Sequence, residues 1–106
     1  MFSVARLTGI GFGLGSAVHA TAFVLLVGSG IHWYGPTYPA WRHVAMTGAD
    51  AFIGWAGWRR PAWLLILLPA WVAEQIIVNG FNVECAVVIV ALIALAWERS
   101  LRRAAP

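Results

Sequence analysis

Four long stretches of this chain are nearly free of charge, and the charged residues collect at the ends of these stretches. They cover residues 8–28, 43–58, 62–78 and 83–97. At a helical rise of about 1.5 Å per residue, each is long enough, or almost long enough, to cross a bilayer core about 30 Å thick. The pattern predicts an all-α membrane protein with four transmembrane helices, in which residues 1–106 form a single domain.

The composition favours lipid over nucleic acid as the partner. Of the 106 residues, 61% are hydrophobic and only 10% are charged, whereas a soluble domain carries about 25% charged residues. The net charge is +3, and every basic residue is an arginine. Because these arginines lie at the ends of the predicted helices and not on one soluble face, we expect a lipid bilayer as partner and no nucleic acid.

The distribution of arginine predicts the orientation in the membrane. Six arginines would lie on one side of the bilayer, and only Arg42 on the other. Positive residues favour the cytoplasmic side, so both termini should be cytoplasmic. Short links at residues 59–61 and 79–82 make successive helices antiparallel neighbours in an up-down-up-down bundle. The expected location is the bacterial inner (cytoplasmic) membrane, as a multi-pass protein. The six arginines are Arg6, Arg59, Arg60, Arg99, Arg102 and Arg103.

Glycine recurs at four-residue spacing in the first stretch and shares one face of the second. Such spacing lets another backbone approach closely, and close packing is what joins helices in lipid. The sequence leaves open whether the partner is another helix of this chain or a second copy. A cleaved signal peptide is disfavoured, because the first stretch is glycine-rich and weakly apolar. The predicted helix-packing residues are Gly9, Gly11, Gly13, Gly15, Gly54 and Gly57.

Several ionisable residues fall inside the predicted spans, where charge is costly and indicates a functional site by default. If the spans end level with one another, His19 lies about 14 Å below the outer boundary, Asp50 about 10 Å, Glu74 about 6 Å and Glu84 only a few Å. The polar cluster is therefore expected in the outer half of the bundle. The candidate ligand- or proton-binding residues are His19, Arg42, His43, Asp50, Glu74, Gln75 and Glu84.

Two interpretations of the cluster remain open. In the structural one, Arg42 or His43 pairs with an acid of the third or fourth helix, and Asp50 forms a hydrogen bond with His19 that ties the first helix to the second. In the other, the same groups form a ligand or proton pocket.

No metal, haem or other cofactor is predicted. The sequence has no H-x-x-x-H or H-x-x-E-H spacing. A haem held by two histidines is disfavoured, because His19 would lie deep while His32 and His43 would lie at the rim. The single cysteine, Cys85, cannot form an internal disulfide and is expected to be a small buried apolar side chain.

Three short motifs carry a resemblance to a known family. Residues 39–43 open the second span with Trp-Arg-His, residues 58–63 form a hairpin rich in Trp and Arg, and residues 74–75 precede the turn at residues 79–80. Over residues 39–80 the chain resembles a family of small uncharacterised bacterial four-helix integral membrane proteins, a resemblance that implies no activity. The residues that match its pattern are Arg42, His43 and Gln75.

The sequence favours a non-catalytic integral membrane protein, either an accessory or assembly subunit or a self-associating scaffold. Homo- or hetero-oligomers with other membrane proteins are expected. The alternative is a small oligomeric transporter or proton-coupled carrier that uses the outer polar cluster. An intramembrane enzyme has the least support, because there is no nucleophile elbow, H-E-x-x-H motif or P-loop. Ser16 and His19 lie about a turn apart, but without an oxyanion signature.

Overall fold

A computed structural model describes residues 3–104, and this part of the chain is about 85% helical with no strand. A single 3₁₀ turn, Pro61–Trp63, precedes the third helix. The prediction of an all-α protein with four helices is confirmed. The helices are α1 Val4–Ser29, α2 Ala40–Arg59, α3 Leu64–Asn79 and α4 Val83–Ala104.

The ends of α1 lie outside the predicted stretch because capping residues set them. The Ser3 side chain accepts a hydrogen bond of 3.1 Å from the Arg6 backbone N–H, which caps the first turn. At the other end Gly30 takes a left-handed conformation with φ 68°. Its N–H bonds to the Leu26 carbonyl, and that of Ile31 bonds to the Leu25 carbonyl. The first of these, from Gly30 to Leu26, is the bond of an αL cap, which favours glycine at this position.

Helices α1 and α2 run antiparallel with their backbones in contact. A Cβ atom on Gly57 would lie 2.6 Å from the carbonyl oxygen of Ala5, and a Cβ on Gly9 would lie 2.8 Å from that of Gly54. A Cβ on Gly54 would in turn lie 3.2 Å from the backbone nitrogen of Gly13. Only glycine permits this approach, so the partner of this glycine face is α2 of the same chain.

The same register continues to the outer half of α1. The Ser16 hydroxyl donates a hydrogen bond of 2.8 Å to the Thr47 carbonyl oxygen. One step farther, His19 Nδ1 lies 3.1 Å from His43 Nδ1. His43 therefore lies opposite His19, and the last turns of α1, up to Ser29, extend beyond the first turn of α2. The predicted difference in depth between the two histidines is wrong, because the outer ends of the two helices are not level.

Helices α3 and α4 form a second pair, joined by a short turn. In that turn the Asn82 side chain accepts a hydrogen bond of 3.1 Å from the Cys85 N–H. All four helices contribute to the core, and in this pair Leu64, Leu68 and Cys85 are each 0% exposed. The prediction that Cys85 is a buried apolar side chain is confirmed.

The start of α1 and the end of α4 meet at one end of the molecule. Oε2 of Glu98 accepts a hydrogen bond of 3.1 Å from the Val4 N–H, and Oε1 of the same side chain pairs with Arg102. The guanidinium of Arg6 lies 5.1 Å from the centre of the Trp58 ring near the end of α2. Six arginines thus gather at the end of the molecule that also holds both ends of the described chain.

Two helical segments are long and apolar enough to cross a membrane. They are Val4–Ser29, with a mean hydropathy of 1.9, and Pro61–Asn79, with a mean hydropathy of 1.7. Helices α2 and α4 are not among these two segments. Helix α2 is more polar and carries Arg42 and Asp50 within its length, and α4 carries Glu84 in its first turn and four charged residues after Trp97.

Gly57→Ala is expected to destabilise the protein, because the added methyl would overlap Ala5 and push α1 away from α2. Overpacking of this kind costs about 1–3 kcal/mol, so thermal unfolding in mild detergent should start at a lower temperature. The matched control is Gly48→Ala on the same helix, where a Cβ would meet nothing within 4 Å. Equal unfolding temperatures for the two variants would contradict the register.

Candidate functional site

The two helix pairs leave a cleft of about 750 Å³ between α1 and α4, with α2 and α3 as its floor. Toward the end where the termini meet, its walls are apolar and include Phe12 of α1 and Val88 of α4. The opposite end, called here the outer end, is polar. Its polar lining includes His19, Tyr34, Asp50, Gln75, Asn82 and Glu84.

Asp50 is a charged side chain in the floor of this cleft, and it is only 4% exposed. Its Oδ1 accepts a hydrogen bond of 3.2 Å from the indole Nε1 of Trp71. Its Oδ2 lies against Gly15, at 3.1 Å from the place that a Cβ there would take. The predicted hydrogen bond between Asp50 and His19 is wrong, because the α1–α2 register pairs His19 with His43 instead.

Gly11 and Gly15 line the cleft and do not lie in the glycine contact with α2. A Cβ on Gly11 would meet nothing within 4 Å, so this face of α1 is open along the cleft. The alternating glycines of α1 therefore serve two faces. One face lies against α2, and the other makes room in the cleft, including the space for the Asp50 carboxylate.

Four aromatic rings gather at the outer end of the cleft. The ring centres of His19 and Tyr34 are 4.8 Å apart, and those of His43 and Tyr38 are 4.4 Å apart. The tyrosines come from the link between α1 and α2, which folds back in a turn at Gly35, with φ 104°. The turn is closed by a hydrogen bond of 3.1 Å from the Gly35 N–H to the carbonyl of His32. The fold-back brings both tyrosines onto the histidine pair.

The protonation of this ring cluster follows from its geometry. A hydrogen bond between two Nδ1 atoms needs one ring to donate and the other to accept, so one of the two histidines is unprotonated at Nδ1. Partial burial raises the pKa of the Tyr34 hydroxyl, and the carboxyl groups of Glu84 and Asp50 raise it further. Burial also raises the pKa of Tyr38, although Arg42 opposes that shift. Both hydroxyls therefore stay protonated near neutral pH and can donate hydrogen bonds.

A chain of polar contacts joins α2 to α3 beside the cleft. Arg42, only 6% exposed, forms an ion pair with Glu74. Glu74 accepts a hydrogen bond of 2.9 Å from the Gln75 amide, and Gln75 accepts one of 3.1 Å from Asn79. The predicted pairing of Arg42 with an acid of the third or fourth helix is confirmed for Glu74. Its guanidinium also lies 5.8 Å from the centre of the Tyr38 ring.

The predicted candidates fall into three groups. The first is the histidine pair, the second is Arg42 with Glu74 and Gln75, and the third is Asp50 with Trp71. Glu84 stands apart at the α4 side of the cleft, with no basic group within 4 Å among residues 3–104.

Sequence reasoning missed the two loop tyrosines and the contact of Trp71 with Asp50. The spacing of Tyr34 and Tyr38 around Gly35-Pro36 was the available signal, because a turn there brings both rings to one side. The depth of Trp71 in the third stretch matched that of Asp50 in the second, and this match could have indicated their contact.

Within residues 3–104, no group of three or more histidine, cysteine, aspartate or glutamate side chains is placed to hold a metal ion. Comparison of the chain with protein-family models, curated proteins and solved structures gives no match.

Glu74→Gln is expected to destabilise the protein, because it leaves the buried Arg42 guanidinium without a countercharge. Exposed ion pairs contribute up to about 1 kcal/mol and breaking a buried pair costs about 3–5 kcal/mol. Since the Glu74 side chain is 39% exposed, we expect a loss of about 2 kcal/mol in the free energy of unfolding, between these limits.

The control for this variant is Glu84→Gln, which removes an acid of the same cleft that has no basic partner. It should leave the free energy of unfolding unchanged. The double variant Arg42→Leu/Glu74→Gln should recover part of the loss, because no unpaired charge remains. Equal stability of the two single variants would show that the ion pair does not stabilise the fold.

Proposed function

We propose that this chain is a non-catalytic integral membrane protein of the bacterial inner membrane, with four spans and cytoplasmic termini. It serves as an accessory or assembly subunit or as a self-associating scaffold. The observation that carries the membrane placement is the exposure of the most apolar helices. In the most apolar segment of α1 only 11% of the residues are buried, and in that of the third helical segment, Pro61–Asn79, only 22%. Exposing this much apolar surface to water is unfavourable, whereas exposing it to lipid is not.

The placement of charge supports four spans. In α2, Arg42, His43 and Asp50 are each at most 6% exposed, so the protein itself shields them from lipid. In α4 the charges lie in the first turn and after Trp97, and the segment between them is uncharged. Buried or terminal charges are the arrangement that membrane helices tolerate.

The aromatic residues support the same placement. Five tryptophans near the ends of the predicted spans are all exposed, as an interfacial belt requires. They are Trp33, Trp41, Trp58, Trp63 and Trp97. Helix α1 also packs against α2 along most of its length, which supports its retention as a span and not as a cleaved signal.

Two contacts favour a non-catalytic role. The Ser16 hydroxyl donates to the Thr47 carbonyl, and the imidazole of His19 bonds to that of His43. The serine is thus not paired with the neighbouring histidine, and the arrangement of a nucleophile with its base is missing from this pair.

Cysteine labelling tests the four spans. In a Cys85→Ala background, Phe81→Cys should react with a membrane-impermeant maleimide added to intact spheroplasts, and Ala62→Cys should react only after lysis. If only the two most apolar segments crossed the membrane, the labelling of the two positions would be exchanged. Labelling of Ala62→Cys from outside would therefore refute the four-span proposal.

Extraction into mild detergent or native nanodiscs tests the subunit role. Native mass spectrometry should show a homo-oligomer or a complex with another membrane protein. Cross-linking in intact membranes should trap the same species. A strict monomer in both measurements would contradict the scaffold and subunit proposals.

A small proton-coupled carrier is the second candidate, favoured by the buried carboxyl group of Asp50 in the floor of the cleft. In proteoliposomes with an internal pH dye, a carrier should show proton movement that Asp50→Asn and Glu74→Gln abolish. Glu98→Gln, at the opposite end of the molecule, is the control. Unchanged movement in both test variants would eliminate this candidate.

A further inference from the structure

The cleft between α1 and α4 has an acidic group with unused bonding capacity in its floor. Only 4% of the surface of Asp50 is exposed, and the hydrogen bond from Trp71 reaches only its Oδ1. Within the described residues, Oδ2 accepts no hydrogen bond and faces Gly15 in the cleft wall. A carboxyl oxygen that opens only into a narrow, mostly apolar cleft is poorly solvated, so a ligand that brings positive charge or a hydrogen-bond donor there is favoured.

The charges around Asp50 determine whether that ligand should be positively or negatively charged. Glu84 lies across the cleft without a basic partner within 4 Å, whereas the charge of Glu74 is balanced by Arg42. The His19–His43 pair holds at least one ring that is unprotonated at Nδ1. The cleft therefore carries an excess of negative charge, which favours a cation and disfavours an anionic headgroup.

The other walls of the cleft suit an apolar body that carries this cation. Phe12 and Trp71 lie edge to face with their ring centres 5.4 Å apart, and Tyr34 and Tyr38 line the outer end. Aromatic faces attract cations, most strongly where water is excluded. Apolar side chains of α1 and α4 continue the cleft away from this point, and its volume of about 750 Å³ fits a small organic molecule.

We propose that this cleft binds an amphiphilic organic cation, a quaternary or protonated onium group attached to an apolar body. The cation lies beside Asp50, and the body lies along the apolar part of the cleft between α1 and α4. The inference rests on the proposed membrane placement, since a bilayer concentrates such amphiphiles around α1 and α4. It names the substrate class of the carrier candidate, and it applies equally to an accessory subunit that holds such a ligand.

Two ions of nearly the same shape and opposite charge test the proposal. Purified full-length protein in nanodiscs is dialysed to equilibrium against tetraphenylphosphonium or tetraphenylborate, and binding to empty nanodiscs is subtracted. We expect saturable binding of one tetraphenylphosphonium per chain, and only lipid partition for tetraphenylborate. Asp50→Asn should weaken the binding of tetraphenylphosphonium at least tenfold. Glu98→Gln, outside the cleft, should leave it unchanged.

A second pair of variants tests the cleft without touching its charge. Gly11→Leu places a side chain in the apolar part, where a Cβ meets nothing within 4 Å, so the helix packing is kept. It should also weaken binding at least tenfold. The matched control is Gly28→Leu, on the same helix, equally open and outside the cleft lining, and it should bind as the wild type does.

Four results would overturn the proposal: no saturable binding by the wild type, equal binding of both ions, stronger binding of tetraphenylborate, or wild-type affinity in Asp50→Asn and Gly11→Leu. Equal binding of both ions would indicate a purely apolar cleft, and stronger binding of tetraphenylborate would indicate an anionic ligand. None of these results alters the labelling of Ala62→Cys, which tests the membrane placement separately.

Discussion

The contact between the backbones of α1 and α2 determines where almost everything else in this molecule lies. Gly9, Gly54 and Gly57 allow the helices to touch, and a helix pair in such contact has no freedom to slide by a turn. The register then places His19 opposite His43 and leaves Asp50 facing Gly15. The polar site is thus a consequence of packing at the other end of the same helix pair.

The second helix pair depends on different forces. Leu64, Leu68 and Leu95 fill the core beside α3 and α4, and three polar contacts tie that pair to α1 and α2. Arg42 pairs with Glu74, Trp71 donates to Asp50, and the start of α1 bonds to Glu98. Between these contacts α1 and α4 stay apart, and the cleft occupies the space. An open site with a buried carboxyl group arises where α1 and α4 do not meet along the middle of the bundle.

Elementary rules predicted part of this arrangement. Charge-free stretches were enough to predict four helices, and the charges at neighbouring helix ends were enough to suggest that Arg42 or His43 pairs with Glu74 or Glu84, but not which pair forms. The predicted depth of His19 was wrong because the prediction assumed that all four spans end at the same level. The glycine contact instead sets a register in which α1 extends farther outward than α2. The ring cluster was missed because it depends on a loop, and the way Tyr34 folds back is decided by tertiary contact.

The glycines of α1 and α2 differ in how much space surrounds them, and this difference determines which of them can be replaced during evolution. Positions 9 and 57 admit no side chain and position 54 leaves little room for one, whereas positions 11, 28 and 48 have free space around them. During evolution the glycines at positions 11, 28 and 48 would be replaced freely. Those at positions 9, 54 and 57 would be kept, and so would the spacing that pairs them across the two antiparallel helices. Distant kin that share little overall identity would then be recognised by this spacing of small residues across two consecutive helices.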